Sequence, residues 1–381
     1  MSNPLRELNK LGQSVWYDNL NRELLVSGKL QKMVDEDGVS GGTSNPSIFE
    51  KAIAASDVYD AHIRELAARG AGVPEMFDAL TVADVQQSAD VFRAAYDATS
   101  GADGYASLEV SPHLAYDTEA TIADARRLFR ALGRPNVMIK IPGTQEGLPA
   151  IEQCLSEGLN INITLLFSVE NYEQVANAYI SALEKRAQRG EPVTGIASVA
   201  SFFVSRVDSL TDEKLKAKID AASSEDEKAT LRALMGQAAV ANAKIAYEAC
   251  KRIFSGPRWE ALAAQGARVQ RCLWASTSTK NPDYRDVIYV EELIGADTVN
   301  TLPQNTLDAF RDHGRVALTL EDGLEEAIGV IRSLDEAGVS IKAVTEELQT
   351  QGVQLFIDSF DKAVESIVQK REALSGAGAR G

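Results

Sequence analysis

One lysine stands in a run that otherwise reads as a buried strand: Lys140 in VMIKI, residues 137–141. A buried, unpaired ammonium is costly enough that the group usually shifts its pKa and goes neutral. Either a partner or a chemical duty must account for it. Side chains alternate along a strand, so Val137, Ile139 and Ile141 share one face and Met138 and Lys140 the other. The same alternation in ASLEV (106–110) sets Glu109 opposite Leu108 and Val110. In INITLLF (161–167) it sets Asn162 and Thr164 opposite Ile161, Ile163 and Leu165. Asp18 ends the run SVWYD, Ser201 ends a run near 195–201, and Ser276 ends one at 271–276. An amine among carboxylates, an amide and hydroxyls suits amine nucleophilic catalysis. A desolvated lysine holds more free amine at neutral pH. The amine adds to a ketone to give a Schiff base, whose protonated form is an electron sink for C–C cleavage. Carboxylates then move protons on and off the reacting oxygens. A plainer reading stays open on these residues alone. Lys140 would be a structural partner of Glu109, Glu109 and Asp18 polar plugs, and Asn162, Thr164 and Ser201 satisfied core groups.

These residues sit on eight strand-like runs, near 14–18, 38–43, 106–110, 137–141, 161–167, 195–201, 271–276 and 298–302. Most gaps hold an amphipathic helix. In SVENYEQVANAYISALEKRAQRG, Ser168 can cap the start and Gly190 the end. TQEGLPAIEQCLSEG puts Leu148, Ile151 and Leu155 on one face. Strands alternating with helices imply a parallel sheet, and eight such units imply a closed (β/α)8, or TIM, barrel of about 250 residues. In that fold Lys140 points inward at the C-terminal end, where active sites lie. The chain, at 381 residues, carries additions: one before the first strand, a charged helical stretch near 211–260 between strands six and seven, and a helical C-terminal segment. It reads as a single domain over 1–381, with a barrel core at about 12–320 and a helical extension at about 320–375. The last residues, SGAGARG, read as frayed.

With 55 Asp+Glu against 39 Lys+Arg, the net charge is -16, which disfavours nucleic-acid backbones and anionic membranes as partners. A phosphorylated small molecule needs only a local basic pocket. Cys154, Cys250 and Cys272 are far apart, as in a protein of the reducing cytoplasm. No secretory h-region and no apolar run of roughly 18 residues is found. His62, His113 and His313 show no ligand spacing, so no catalytic metal is expected. GVSGGTSNP lacks the glycine pattern of a nucleotide loop. Its Asn45-Pro46 pair also fits a helix start, with Asn as cap.

The stretches GGTSNPSIF (41–49), SLEVSPHLAYD (107–117), VMIKIPGTQEG (137–147), NINITLLFS (160–168), SFFVSRVD (201–208) and LWASTSTKNPDY (273–284) resemble transaldolases, in order and over about residues 10–320. The length and the WASTSTKNP form are similar to a branch found in actinobacteria and some other bacteria. The resemblance implies Schiff-base transfer of a dihydroxyacetone unit without metal or cofactor, from sedoheptulose 7-phosphate to glyceraldehyde 3-phosphate. It implies Lys140 as the Schiff-base lysine, Asp18 as the acid/base of C–C cleavage, and Glu109 with Thr164 as holders of a proton-transferring water. Asn45, Asn162 and Ser201 would bind substrate hydroxyls, Phe203 would line the pocket, and Arg206 and Ser276 would hold phosphate. Many transaldolases carry an arginine two residues past that serine. Here Ser278 takes the place, and Lys280 follows as the second phosphate cation. The alternatives are a related sugar-phosphate aldolase that frees dihydroxyacetone and a silent sugar-phosphate-binding barrel. The oligomeric state stays open between monomer and homodimer.

Overall fold

The computed structural model describes residues 3–378. Its eight strands pair in parallel and close in sequence order. They are β1 (Gln13–Asp18), β2 (Val39–Thr43), β3 (Ala106–Glu109), β4 (Val137–Pro142), β5 (Ile161–Leu166), β6 (Ser198–Phe203), β7 (Arg271–Ala275) and β8 (Thr298–Leu302), which returns to β1. The (β/α)8 barrel expected from the alternating pattern is therefore the fold. The core of β4 follows the alternation, with Val137, Ile139 and Ile141 fully buried.

Two strand ends differ from the sequence reading. β6 starts later and does not end at Ser201: Phe202 and Phe203 stay paired with Trp274 and Ala275 of β7. In β5 the alternation stops at Leu165, whose φ is +59°, and the pairing with β6 slips between Ile163 and Leu166. Leu165 thus leaves the outward face it was expected to share with Ile161 and Ile163. Its side chain lies instead beside Gly352 of the C-terminal helix.

The N-terminal end of the barrel carries a polar cluster. Asp103 accepts hydrogen bonds from Ser14 Oγ at 2.5 Å, Ser40 Oγ at 2.7 Å and Trp16 Nε1 at 2.8 Å. Gly41 makes room for that indole, since a Cβ there would come within 2.6 Å of it.

The expected helical additions are present before β1 (Pro4–Lys10), after β6 (Ser205–Ala221, Glu225–Ala233, Ala238–Ile253, Pro257–Ala263) and after β8 (Gln304–His313, Leu324–Glu336, Ile341–Gly378). A further one was not foreseen: Pro46–Ala55, Asp60–Ala68 and Val73–Ala98 separate β2 from β3. Ser168 does cap Val169–Gln188, by accepting from Asn171 N. The helix Ile341–Gly378 has 38 residues and runs through most of the tail read as frayed, whose last residues, 379–381, lie outside the described ones. Among its buried residues, Val344, Leu348, Phe356, Ala363 and Ile367 recur every three to four positions or their multiples, an apolar stripe on a helix. That stripe packs over the β2–β3 insertion. Phe360 meets Phe77 with ring centroids 4.8 Å apart, and Lys370 Nζ reaches the Ser56 carbonyl oxygen at 2.8 Å. No helix among the described residues is long and apolar enough to cross a membrane.

Candidate active site

In the barrel register Lys140 of β4 stands beside Glu109 of β3 and Asn162 of β5. Register neighbours project to the same side of a sheet. Lys140 Nζ lies 3.3 Å from Glu109 Oε2, with the two side chains 6% and 4% exposed. Its hydrogen bond goes to the Ser44 carbonyl oxygen at 3.1 Å. Neither Glu109 oxygen has an aligned donor among the described residues, so the contact is a charge pair rather than a hydrogen bond. Burial pushes the Glu109 carboxyl up to about 7; the Lys140 charge opposes that rise and the Asp18 charge adds to it. The paired lysine and the nucleophilic lysine are compatible readings. Pairing offsets the desolvation of the ammonium, and Nζ still sits on the wall of a cavity of about 300 Å³.

That cavity opens at the C-terminal mouth and is lined by Asp18, Asn45, Lys140, Thr164, Ser201 and Phe203 among others. Asp18 is oriented by Thr43, its register partner on β2, whose Oγ1 donates to Asp18 Oδ1 at 2.6 Å. Thr301 of β8 backs Thr43 at 3.1 Å. Asn45 caps the helix Pro46–Ala55, accepting from Ile48 N at 3.1 Å. Thr164 Oγ1 is buried without a partner among the described residues, so it is available to a water or a substrate. Asn162 is different. It is fully buried, its amide held between Ser107 Oγ at 3.1 Å and Ser201 Oγ at 2.6 Å.

The far side of the cavity is basic. Arg206 enters on the first turn of Ser205–Ala221, with its Cζ 5.7 Å from the Phe203 ring centroid. Burial pulls its pKa down, and the Asp18 charge acts the other way. Ser276, just past β7 at φ +56°, meets Ser205 Oγ at 3.1 Å. Lys280 Nζ donates to Ser278 Oγ at 2.5 Å, so the serine in the arginine's place and the lysine beyond it form one unit. Burial of its ammonium and the Arg206 charge lower Lys280, against Asp18; much of the side chain remains exposed. The sequence reading missed Thr43, Ser47, Lys51, Thr301 and Phe356, all of which line the cavity. Thr43 carried a signal, as the last residue of a strand run next to the one ending in Asp18. Phe356 carried none beyond its place in a helical stripe.

A closed parallel barrel that gathers a lysine, carboxylates and cations around a cavity at its mouth has the layout of a (β/α)8-barrel enzyme. Comparison with known proteins narrows this. The family described as transaldolase/fructose-6-phosphate aldolase matches residues 15–367. A transaldolase of Trichodesmium erythraeum (strain IMS101) is 49% identical over 381 residues, covering 98% of this chain and 99% of that protein. One of Frankia alni is 48% identical over 371 residues, covering 97% and 98%, and transaldolase 1 of Streptomyces avermitilis is 44% identical over 386, covering 100% and 99%. The chain belongs to the transaldolase family, and its activity is that of a transaldolase in the pentose phosphate pathway.

Proposed function

We propose that this enzyme transfers a dihydroxyacetone unit from sedoheptulose 7-phosphate to glyceraldehyde 3-phosphate through a Schiff base on Lys140, giving erythrose 4-phosphate and fructose 6-phosphate, in the cytoplasm. The observation that carries this reading is the buried Lys140 amine, 3.3 Å from a carboxylate pushed up to about 7 by burial, on the wall of the cavity at the barrel mouth. Lys140 Nζ adds to the donor's ketone carbon. Glu109 and Thr164, which hold the proton-transferring water, help the carbinolamine oxygen leave as water. Asp18 then takes the proton of the hydroxyl beside the scissile bond, the C–C bond breaks, and its electrons flow into the iminium. The aldose leaves, the enamine on Lys140 attacks the aldehyde of the acceptor, and water hydrolyses the resulting iminium to free fructose 6-phosphate and the amine. The protonated Schiff base supplies the electron sink, so the chemistry calls for no metal or cofactor. Borohydride with fructose 6-phosphate should inactivate the enzyme and leave a reduced three-carbon unit at Lys140. Labelling at another lysine overturns the assignment.

The substrate phosphate is placed at Arg206, Ser276 and Lys280. Binding energy at a phosphate remote from the reacting carbons can position the reacting centre, and a guanidinium fork suits phosphate geometry. Asn45 and Ser201 then face the carbon chain between the phosphate and Lys140, with Phe203 as an apolar wall and Asn162 hydrogen-bonded to Ser201. Arg206→Ala should lower kcat/KM for phosphorylated substrates by about 2–4 kcal/mol, mainly through KM. Lys280→Ala should do less, because its ammonium is more exposed. Unphosphorylated analogues should hardly change. Equal losses with both substrate kinds would show that Arg206 is structural and the phosphate lies elsewhere.

A further inference from the structure

Resting on the Schiff-base reading, the geometry points to the C-terminal helix as a working wall of the active site, in which Phe356 shields the three-carbon intermediate on Lys140 from water and so favours transfer to an aldose over release of free dihydroxyacetone. Gln349, Gly352 and Phe356 lie three and four residues apart in turn, on one face of the helix Ile341–Gly378. Each meets the mouth differently. Gln349 Nε2 donates to the Gly143 carbonyl oxygen at 3.1 Å, to the Leu165 carbonyl oxygen at 3.3 Å and to Asn171 Oδ1 at 3.0 Å. Gly143 follows the strand of Lys140, and Leu165 follows Thr164, so one amide ties together the two chain segments that carry the reacting groups. Gly352 lets the helix come close: a Cβ there would be 2.9 Å from Leu165 Cδ2. Leu165 itself has a φ of +59°, uncommon for a residue with a branched side chain, and needs support from its surroundings. One turn further on, the Phe356 ring is 5% exposed, lines the cavity and has its centroid 5.9 Å from Lys140 Nζ.

The chemistry makes such a wall consequential. After cleavage, Lys140 carries the three-carbon unit as an enamine. In transfer, the nucleophilic carbon bonds to the acceptor's carbonyl carbon, and the carbonyl oxygen takes a proton from Asp18. In release, the same carbon takes a proton instead and gives the iminium. Water then adds to the C=N carbon, the C–N bond breaks, dihydroxyacetone departs and the amine is regenerated. Transfer too leaves an iminium, that of the new ketose, which water hydrolyses to free the product. The two routes part at the enamine carbon, which bonds to the acceptor in transfer and takes a proton, delivered by water, in release. A phenyl ring at this place excludes water from the space next to Nζ. Its π-face also favours the cationic iminium over a neutral form.

The test uses the full chain with fructose 6-phosphate as donor. Free dihydroxyacetone released without acceptor is compared with transfer to erythrose 4-phosphate, and borohydride trapping is run alongside. In Phe356→Ala the release-to-transfer ratio should rise about tenfold, the scale of a site opened to water. In Phe356→Leu, which refills most of the volume, it should stay within about twofold of the parent. Gln349→Leu removes the anchor without entering the cavity and should shift the ratio the same way by a smaller factor. If Phe356→Ala does not fold, Phe356→Gln asks the same question with a polar chain of similar reach, and the ratio should again rise. A ratio that stays fixed, whether both rates hold or both fall together, overturns the inference while trapping at Lys140 persists. Absence of trapping at Lys140 in the parent enzyme overturns the Schiff-base reading instead.

Discussion

Lys140→Arg is expected to lose activity by about 10⁵–10⁶-fold while the chain stays folded, the scale on which a covalent enzyme falls when its nucleophile is removed. Arginine keeps a positive charge beside Glu109, so the charge balance of the buried site survives. Its guanidinium stays protonated and offers no amine to a ketone. Lys140→Met should be equally inactive and still folded. It removes the charge that opposes the rise of the Glu109 carboxyl, and that carboxyl, already near 7, takes up a proton at neutral pH rather than remaining as a lone buried anion. Circular dichroism and a thermal melt establish the fold, and a coupled assay for erythrose 4-phosphate measures turnover. The opposite pattern is equally clear. If Lys140 were only the partner of Glu109, Lys140→Arg would keep most of its activity and Lys140→Met would lose stability and activity together.

The inward set was legible because a strand reports its own facing. The alternation that separates Lys140 from Ile139 and Ile141 is fixed by backbone geometry, whatever the neighbours are, and the barrel register then places Glu109 beside it. The same rule failed at Leu165, where a positive φ interrupts the pleat. No side-chain pattern marks such a break, because the cause lies in another element: the C-terminal helix, whose Gly352 and Gln349 receive the displaced side chain and carbonyl. Phe356 was hidden for a related reason. A helical stripe shows which face is buried but not what it is buried against, and the partner lies more than 200 residues away in sequence at Lys140. The helices between β2 and β3 were passed over because helices are expected in every such gap, and only packing shows that these support the C-terminal helix. Asn162 had the right strand and the right face, in register with Lys140, and its full burial between Ser107 and Ser201 emerges only from the folded barrel. Lys280 and Ser278 lie on the irregular segment after β7, where no period applies, and their mutual hydrogen bond emerges only from the folded loop.

Asp18→Ala and Glu109→Gln should each reduce turnover by about 10²–10⁴-fold, the usual contribution of a positioned proton-transfer group, but at different steps. Asp18 stands on β1, with its carboxylate fixed by the Thr43 hydroxyl at 2.6 Å. There it can take a proton from the donor's hydroxyl without competing for the amine. Glu109 stands 3.3 Å from Nζ, where the carbinolamine must lose its oxygen as water. A carboxyl near 7 is partly protonated at neutral pH, so it can both give and receive that proton. Asp18→Ala should therefore form the Schiff base with fructose 6-phosphate at near the parent rate and stall before cleavage. Borohydride would then fix the intact six-carbon phosphate on Lys140 rather than the three-carbon unit, a difference that mass spectrometry reads directly. Glu109→Gln should form the adduct slowly and, once formed, cleave it. The parent enzyme's rate of Schiff-base formation should show an inflection near pH 7, a property of the interacting Glu109–Lys140 pair rather than of one group. That inflection should persist in Asp18→Ala and vanish in Glu109→Gln. Equal trapping rates and the same trapped mass in the two variants would mean that the carboxylates share one proton-transfer step, and the division of labour would have to be abandoned.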